Sequence, residues 1–396
     1  LADNVNGGVV LEIFDDGFAA DPWPVLDRLR RDGGVHRVRT PDGPPAWLVT
    51  GYADVRAGLR DDRLATSTSY AGTRDYRGFT VPPAFGVLFD TEPEEHTRLR
   101  RVLTAELSPR SLDEWAGRTP ELLESLLKDL DSAGPVDLVE RLAVPLPAAV
   151  LGELLGLAGP DREALLAWAN STLLPAAGAP LRQARETLQT MGAIVTGTIE
   201  RTRTADSVLG RLVAAHDRGE MSAEELQGVL FYLLFVWYEV LADLVAGAIL
   251  ALLTNPGQVP LLRAAPDRAV DELLRYLSPQ VLATPRFATA DLQLGRYSIG
   301  AGQTVLFCLA AANHDPAKFD APSTLDLARK RNPHLGLGHG PHACLGTALI
   351  RTVTAATLDY VCTRWPATTL TTESSEIPWR SGFRHRGPLT LPVRLA

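Results

Sequence analysis

Apolar positions recur at spacings of three and four from Glu92 to about Leu253, as in LLESLLKDL and REALLAWANSTLL, and this rhythm predicts a succession of helices. Breaks are expected at Pro109, Ala133-Gly134-Pro135, Gly159-Pro160 and Leu174-Pro175. The stretch MSAEELQGVLFYLLFVWYEVLADLVAGAILALLTNP predicts the longest helix, opened by a capping box of Ser222 with Glu225 and closed at Asn255-Pro256. It is apolar on nearly all sides and therefore belongs in the interior. Shorter alternating runs predict strands. VHRVRT and AWLVT, parted by the turn PDGPP, form a hairpin beside a helix at PWPVLDRLRRDG. A helix at DRAVDELLRYL precedes a strand-rich stretch from Pro285 to Phe307, another helix starts just after Cys344, and IPW, GFRHRGP and LTLPVRL read as short strands. No Pro/Ser-rich linker divides these pieces. The expectation is one domain over residues 1–396, mainly α with a minor β region.

Composition narrows the function classes. The 396 residues are 45% hydrophobic, enough for a large core, and the net charge of −8 with no basic run argues against a nucleic-acid partner. Three cysteines, at 308, 344 and 362, are too few for a disulfide framework and fit a reducing, cytoplasmic setting. The N-terminal LADNVNGGVVLEIF lacks the basic flank and apolar core of an export signal. The most apolar stretch, Gly228 to Tyr238, falls short of the ~20 residues of a membrane span before Glu239 and Asp243 interrupt it. No membrane association is expected.

The chemistry concentrates in HLGLGHGPHACLG, which holds His334, His339, His342 and Cys344. Zinc is one reading, although a closed zinc site usually draws its ligands from two short pairs and no second pair is in view. A single thiolate at a helix N-terminus, steadied by backbone N–H groups, suits instead an axial ligand to haem iron. Glycines at 338, 340 and 346 would let the backbone approach a porphyrin face. A lone cysteine can also be a small buried hydrophobe.

These residues resemble the cytochrome P450 family of the soluble bacterial type. The family's loop, aromatic-Gly-x-Gly-x-x-x-Cys-x-Gly, is matched from Leu337 through Gly338 to Gly346, with Leu337 where Phe is usual. The Glu-x-x-Arg signature appears as Glu272 and Arg275, and AANHDP matches a further family stretch. The resemblance implies a cytochrome P450-like fold binding haem b through Cys344. It implies that His96 and Arg100 in EPEEHTRLRR, with Arg286 and His342, hold the two propionates.

One departure matters. Where the family carries Ala/Gly-Gly-x-Asp/Glu-Thr on the long central helix, this chain has Val236, Trp237, Tyr238, Glu239 and Val240. The acid survives and the hydroxyl does not. Glu239, Tyr238 and Val240 therefore mark the position of the proton relay, and substrate or water is expected to complete it. Chemistry less dependent on that relay, such as coupling, rearrangement or peroxide use, is the alternative, together with a weakly active helper protein. Substrate contacts are expected from Phe85, Val236, Trp237, Val281, Leu282, Ala283 and Phe383. The resemblance implies oxidation of a mid-sized, mostly apolar secondary-metabolite intermediate with O2, by a monomer receiving electrons from a separate ferredoxin and ferredoxin reductase. Arg98, Arg101 and Arg351 are candidates for attracting that acidic donor.

Overall fold

The computed structural model describes residues 4–5, 8–41, 43–72, 91, 93–108, 112, 117–130, 134–174, 184–201, 206–380 and 383–396. Helices dominate, and seven of them, taken in chain order, frame the argument. α1 (Trp23–Arg31) and α2 (Pro93–Glu106) lie in the N-terminal part; α3 (Pro145–Leu155) and α4 (Gly159–Leu173) follow. α5 (Ala223–Thr254) is the long central helix, α6 (Pro266–Leu277) carries Glu272 and Arg275, and α7 (Thr347–Arg364) follows the cysteine loop.

Local sequence explains where these helices begin. In α5 the Ser222 hydroxyl accepts from the Glu225 N–H at 3.1 Å and the Glu225 carboxylate accepts from the Ser222 N–H at 2.7 Å, the reciprocal cap the sequence predicts. The 32 residues of α5 span about 48 Å. By length and composition α5 could cross a membrane; here it is wrapped by the main hydrophobic core, which also takes in α3, α6 and α7. Gly159-Pro160 starts α4 with proline in its first turn, where the missing N–H would have no partner in the helix.

The minor sheet has five strands: β1 (Val35–Thr40), β2 (Gly43–Val49), β3 (Leu64–Ala65), β4 (Arg286–Ala288) and β5 (Thr304–Phe307), in the order β1-β2-β5-β4-β3. β1 and β2 are the expected hairpin, with His36 opposite Leu48. β5 joins it parallel to β2, pairing Val305 with Trp47, and antiparallel to β4, where Val305 faces Arg286. This register holds Arg286, 4% exposed, beside Val305 of the neighbouring strand.

The C-terminal expectation needs correcting. IPW and GFRHRGP make isolated bridges, Trp379 with Pro388 and Gln280 with His385, rather than regular strands. Only part of LTLPVRL, Pro392–Arg394, forms a strand, which pairs with Thr369–Leu370 and Pro135–Asp137. Proline and glycine in that segment deny the ladder consecutive donors.

Candidate active site

Between α5, the cysteine loop, β4 and the C-terminal segment lies a cavity lined in part by Val236, Trp237, Val240, Ala283, Arg286, Leu337, Gly338, His342 and Cys344. Residues scattered over the sequence thus converge on one space.

The cysteine loop reaches it through two left-handed glycines, Gly338 at φ +71° and Gly340 at φ +77°. A Cβ on Gly340 would lie 2.8 Å from the Arg60 side chain and 3.2 Å from the Leu59 carbonyl. The loop closes on itself as the Cys344 N–H donates to the Leu337 carbonyl at 2.8 Å, and α7 begins just beyond, with Gly346 as its cap. Cys344 as a residue is half-buried and lines the cavity. Burial raises its pKa, opposed by the Gly346 N–H and the positive charge of Arg100, so without a partner the sulfur favours the thiol. A cation bonded to sulfur would invert that balance.

Two guanidinium and two imidazole groups gather at the cavity's edge: Arg286 and His342 line it, while His96 packs on His342 and Arg100 bonds the cysteine loop. His96 and Arg100 sit one turn apart on α2, Arg286 opens β4, and His342 ends the short turn Gly340–His342. The His96 and His342 ring centroids lie 4.0 Å apart with the planes tilted by 33°, and Arg100 Nη2 donates to the Ala343 carbonyl at 2.8 Å. Arg286 is 4% exposed, yet its Nε has no hydrogen-bond partner. Among the described residues neither Arg100 nor Arg286 makes an ion pair with a carboxylate. Burial, then Arg100 and Arg286, pushes His96 down to about 4. Burial, then Arg286, His96 and Arg100, pushes His342 down to about 2, and burial alone brings Arg286 to about 10. Buried charge without a counter-charge is costly, so this cluster fits a ligand bearing carboxylates.

Glu272 and Arg275 lie apart from the cavity, fully buried. All five Arg275 donors are engaged: two on Glu272 at 2.8 Å each, and the rest on the carbonyls of Asn313, Pro322 and Thr324. Glu272 also accepts from Arg329, Asn332 and the Asp326 N–H. The pair ties α6 to the segment leading into the cysteine loop.

The zinc reading finds no support in this geometry. His334 turns to Asp271, 3.4 Å away, and among the described residues no three His, Cys, Asp or Glu side chains gather for a metal.

On α5 the structure separates residues the sequence could only list together. Val236, Trp237 and Val240 line the cavity. Tyr238, expected in the relay, faces the opposite way: its hydroxyl donates to the Val144 carbonyl and its ring meets Trp168 edge-on at 5.9 Å. It pins α5 to the start of α3, and burial raises its pKa far beyond any use as an acid. Glu239 hydrogen-bonds His385, which does line the cavity. Trp237 extends onto the cysteine loop, its Cζ2 only 2.8 Å from where a Cβ on Gly346 would be. The indole thus packs directly on the loop beside Cys344.

The expected substrate contacts divide similarly. Ala283 is on the cavity wall, while Val281 and Leu282 are 1% exposed and pack in a different core with Phe18 and Leu306. Phe383 joins that core, its ring 4.9 Å from Phe14. Phe85 lies outside the described residues. Tyr232, Gln280, Thr284, Leu309 and His385 line the cavity and were not anticipated; GFRHRGP contained the only polar ring of that segment, two residues beyond Phe383. Of the arginines considered for donor docking, Arg351 makes a two-point pair with Asp271 and Arg98 pairs with Glu225, leaving Arg101 exposed.

The profile of the family "Cytochrome P450" matches residues 258–355. The chain is 35% identical to the cytochrome P450 monooxygenase PikC of Streptomyces venezuelae, over 95% of this chain and 92% of PikC. Among solved structures it is similar to the tirandamycin C-bound P450 monooxygenase TamI, with a TM-score of 0.85 and 33% identity over 98% of this chain and all of that one. It is also similar to the P450 enzyme CxnD for C–S bond formation in chuangxinmycin biosynthesis, with a TM-score of 0.84 and 26% identity over 99% and 98% of the two chains. A lone cysteine sulfur on the cavity wall, beside cationic and imidazole groups that lack a counter-ion, fits haem b: Cys344 could hold its iron, and the cluster could hold its two propionates. The chain belongs to the cytochrome P450 family, as a haem b-binding monooxygenase.

Proposed function

We propose that this chain uses O2 to hydroxylate, epoxidise or close a ring in a mid-sized, mostly apolar secondary-metabolite intermediate, with a polyketide as the favoured class. It works as one haem domain in the cytoplasm, as a monomer, with two electrons from a separate ferredoxin and its reductase. The observation that carries this reading is the cavity itself. Its walls are apolar at Leu59, Val236, Val240, Ala283, Leu309 and Ile350, with a few polar groups at Tyr232, Gln280, Thr284 and His385. Such a lining suits a hydrocarbon body bearing a few oxygens, and the likeness to the polyketide biosynthesis cytochrome P450 PksS of Bacillus subtilis, 29% identical over 96% of this chain, supports the class.

Haem, when bound, supplies oxygen activation. The chain supplies the rest: Cys344 holds the iron, His96, Arg100, Arg286 and His342 hold the propionates, and the apolar wall keeps bulk water from the reacting atoms. Val240 offers no hydroxyl, so a water molecule or a substrate group must carry the proton over the last step. The test is a panel of polyketide, terpenoid and modified-peptide compounds scored by shift of the haem spin state, followed by turnover in labelled dioxygen. A product carrying the label is expected. No spin-state shift by any oxygen-bearing apolar compound would defeat the proposed class.

A second reading rests on the same Val240 and on the likeness to CxnD: oxidative coupling, in which a bond forms without oxygen insertion. It gives an unlabelled product of lower hydrogen content.

A further inference from the structure

The acid of α5 does not stand alone. Glu239 Oε2 lies 2.9 Å from His385 Nδ1, across 146 positions of sequence. With a carboxylate at that distance Nδ1 carries the proton, so Nε2 is the nitrogen left for another partner. Among the described residues Nε2 has no hydrogen bond, and the ring forms part of the cavity wall.

The backbone holds His385 firmly in this position. Val281 N–H donates to the Arg384 carbonyl and Arg386 N–H to the Pro279 carbonyl, both at 2.8 Å, so both neighbours of His385 are tied to the segment that also bears Gln280. One turn along α5 from Glu239 lies Asp243, fully buried. Its Oδ1 accepts from Arg380 at 3.1 Å and its Oδ2 has no partner. The two acids are pushed in opposite directions. Burial would raise Glu239, yet the His385 hydrogen bond and the nearby positive charges hold it below the usual carboxylate range; burial dominates at Asp243 and raises it. The two environments thus push neighbouring acids of one helix face apart, Glu239 down and Asp243 up, a contrast typical of acid–base sites.

We propose that His385, oriented by Glu239 and backed by Asp243, is the proton donor of this cavity and takes over the task of the hydroxyl missing at Val240. The inference rests on the monooxygenase reading above and extends it. In that reaction one O2, two electrons from the ferredoxin and two protons yield one oxygen atom inserted into substrate and one water. His385 passes a proton from water on to the oxygen through Nε2, directly or through one water, while Glu239 holds the Nδ1 proton and fixes the ring. Bulk water restores the proton. His385 is then a catalytic residue, and Glu239 a positioning residue.

The test uses the haem-loaded full chain and two independent readings. The first is infrared spectroscopy of the reduced carbon monoxide complex in H2O and D2O. In wild type the C–O band is expected at lower wavenumber than in His385→Ala and to shift in D2O, because a donated proton polarises the probe; Glu239→Gln is expected to fall between them. The second is turnover of the best spin-state-shifting polyketide of the panel. Product formation by His385→Gln and His385→Ala is expected to drop by about 10²-fold, with peroxide released instead and with haem content and the carbon monoxide Soret band intact. Adding Val240→Thr to His385→Ala is expected to restore part of the coupling. If the infrared band is the same in all variants and His385→Gln retains wild-type yield, His385 is only a structural pin and the inference falls while the monooxygenase reading stands. If wild type gives no labelled product yet its band responds to His385→Ala, the donor is present and the monooxygenase reading is what fails.

Discussion

Two clusters of buried charge, both holding arginines, behave oppositely. At Glu272 and Arg275 every guanidinium donor and both carboxylate oxygens have partners, and neither side chain is exposed at all. At His96, Arg100, Arg286 and His342 the charges are of one sign, an Arg286 nitrogen has no partner, and the imidazoles are pushed well below their usual range. A cluster that neutralises itself locks pieces of the chain together. A cluster that does not is a receptor for the missing charge. Unsatisfied buried polarity, rather than burial or charge alone, distinguishes binding from architecture in this molecule.

The sharpest way to break that contrast is to remove one partner from the closed cluster. Arg275→Ala leaves Glu272 buried with only Arg329 and neutral donors, and a loss of about 3–5 kcal/mol is expected in denaturant unfolding, with or without haem. Arg286→Ala should do the reverse. It removes a cation that lacks a partner, so the haem-free protein should lose little stability or gain some, while haem escapes to an acceptor globin on the order of 10-fold to 100-fold faster, the equivalent of one charge-assisted hydrogen bond of about 1.5–3 kcal/mol. A loss of stability by Arg286→Ala equal to that of Arg275→Ala would erase the distinction.

The pH dependence sharpens it further. His96 and His342 have folded pKa values of about 4 and about 2, below the ordinary value of 6.5, so the unfolded chain binds more protons over that interval. This contribution to stability is present above pH 6.5 and is lost as pH falls toward 4. Haem-free protein should therefore weaken on acidification through that window, measured as a falling denaturation midpoint. A His96→Asn, His342→Asn double variant should flatten the curve, and bound haem should reduce it by supplying two carboxylates. The smallest expected effect concerns the indole against Gly346. Trp237→Ala removes the ring that packs on the loop beside Cys344 and should speed haem uptake by haem-free protein a few-fold, read from growth of the Soret band.

Much of this was legible beforehand because the signals are local. The Ser222–Glu225 cap, the two left-handed glycines before Cys344, and His96 with Arg100 one turn apart each depend on neighbours within a few residues. Such features survive in one dimension. The C-terminal segment was less legible: GFRHRGP reads as strand by alternation, but its bonding is set by Gln280 and by α5, far away in the chain.

The sequence by itself therefore determined the helical succession, the cysteine loop and the types of residue proposed to hold the cofactor. It could not say which side of α5 meets the cavity, because a helix apolar all round carries no amphipathic signal to orient it. Only packing turned Trp237 and Val240 inward, sent Tyr238 to the Val144 carbonyl, and set Val281, Leu282 and Phe383 into a separate core. Only packing brought His385 to Glu239. Contacts between residues more than a hundred positions apart are selected by the fit of whole surfaces, and no short window of sequence contains that fit.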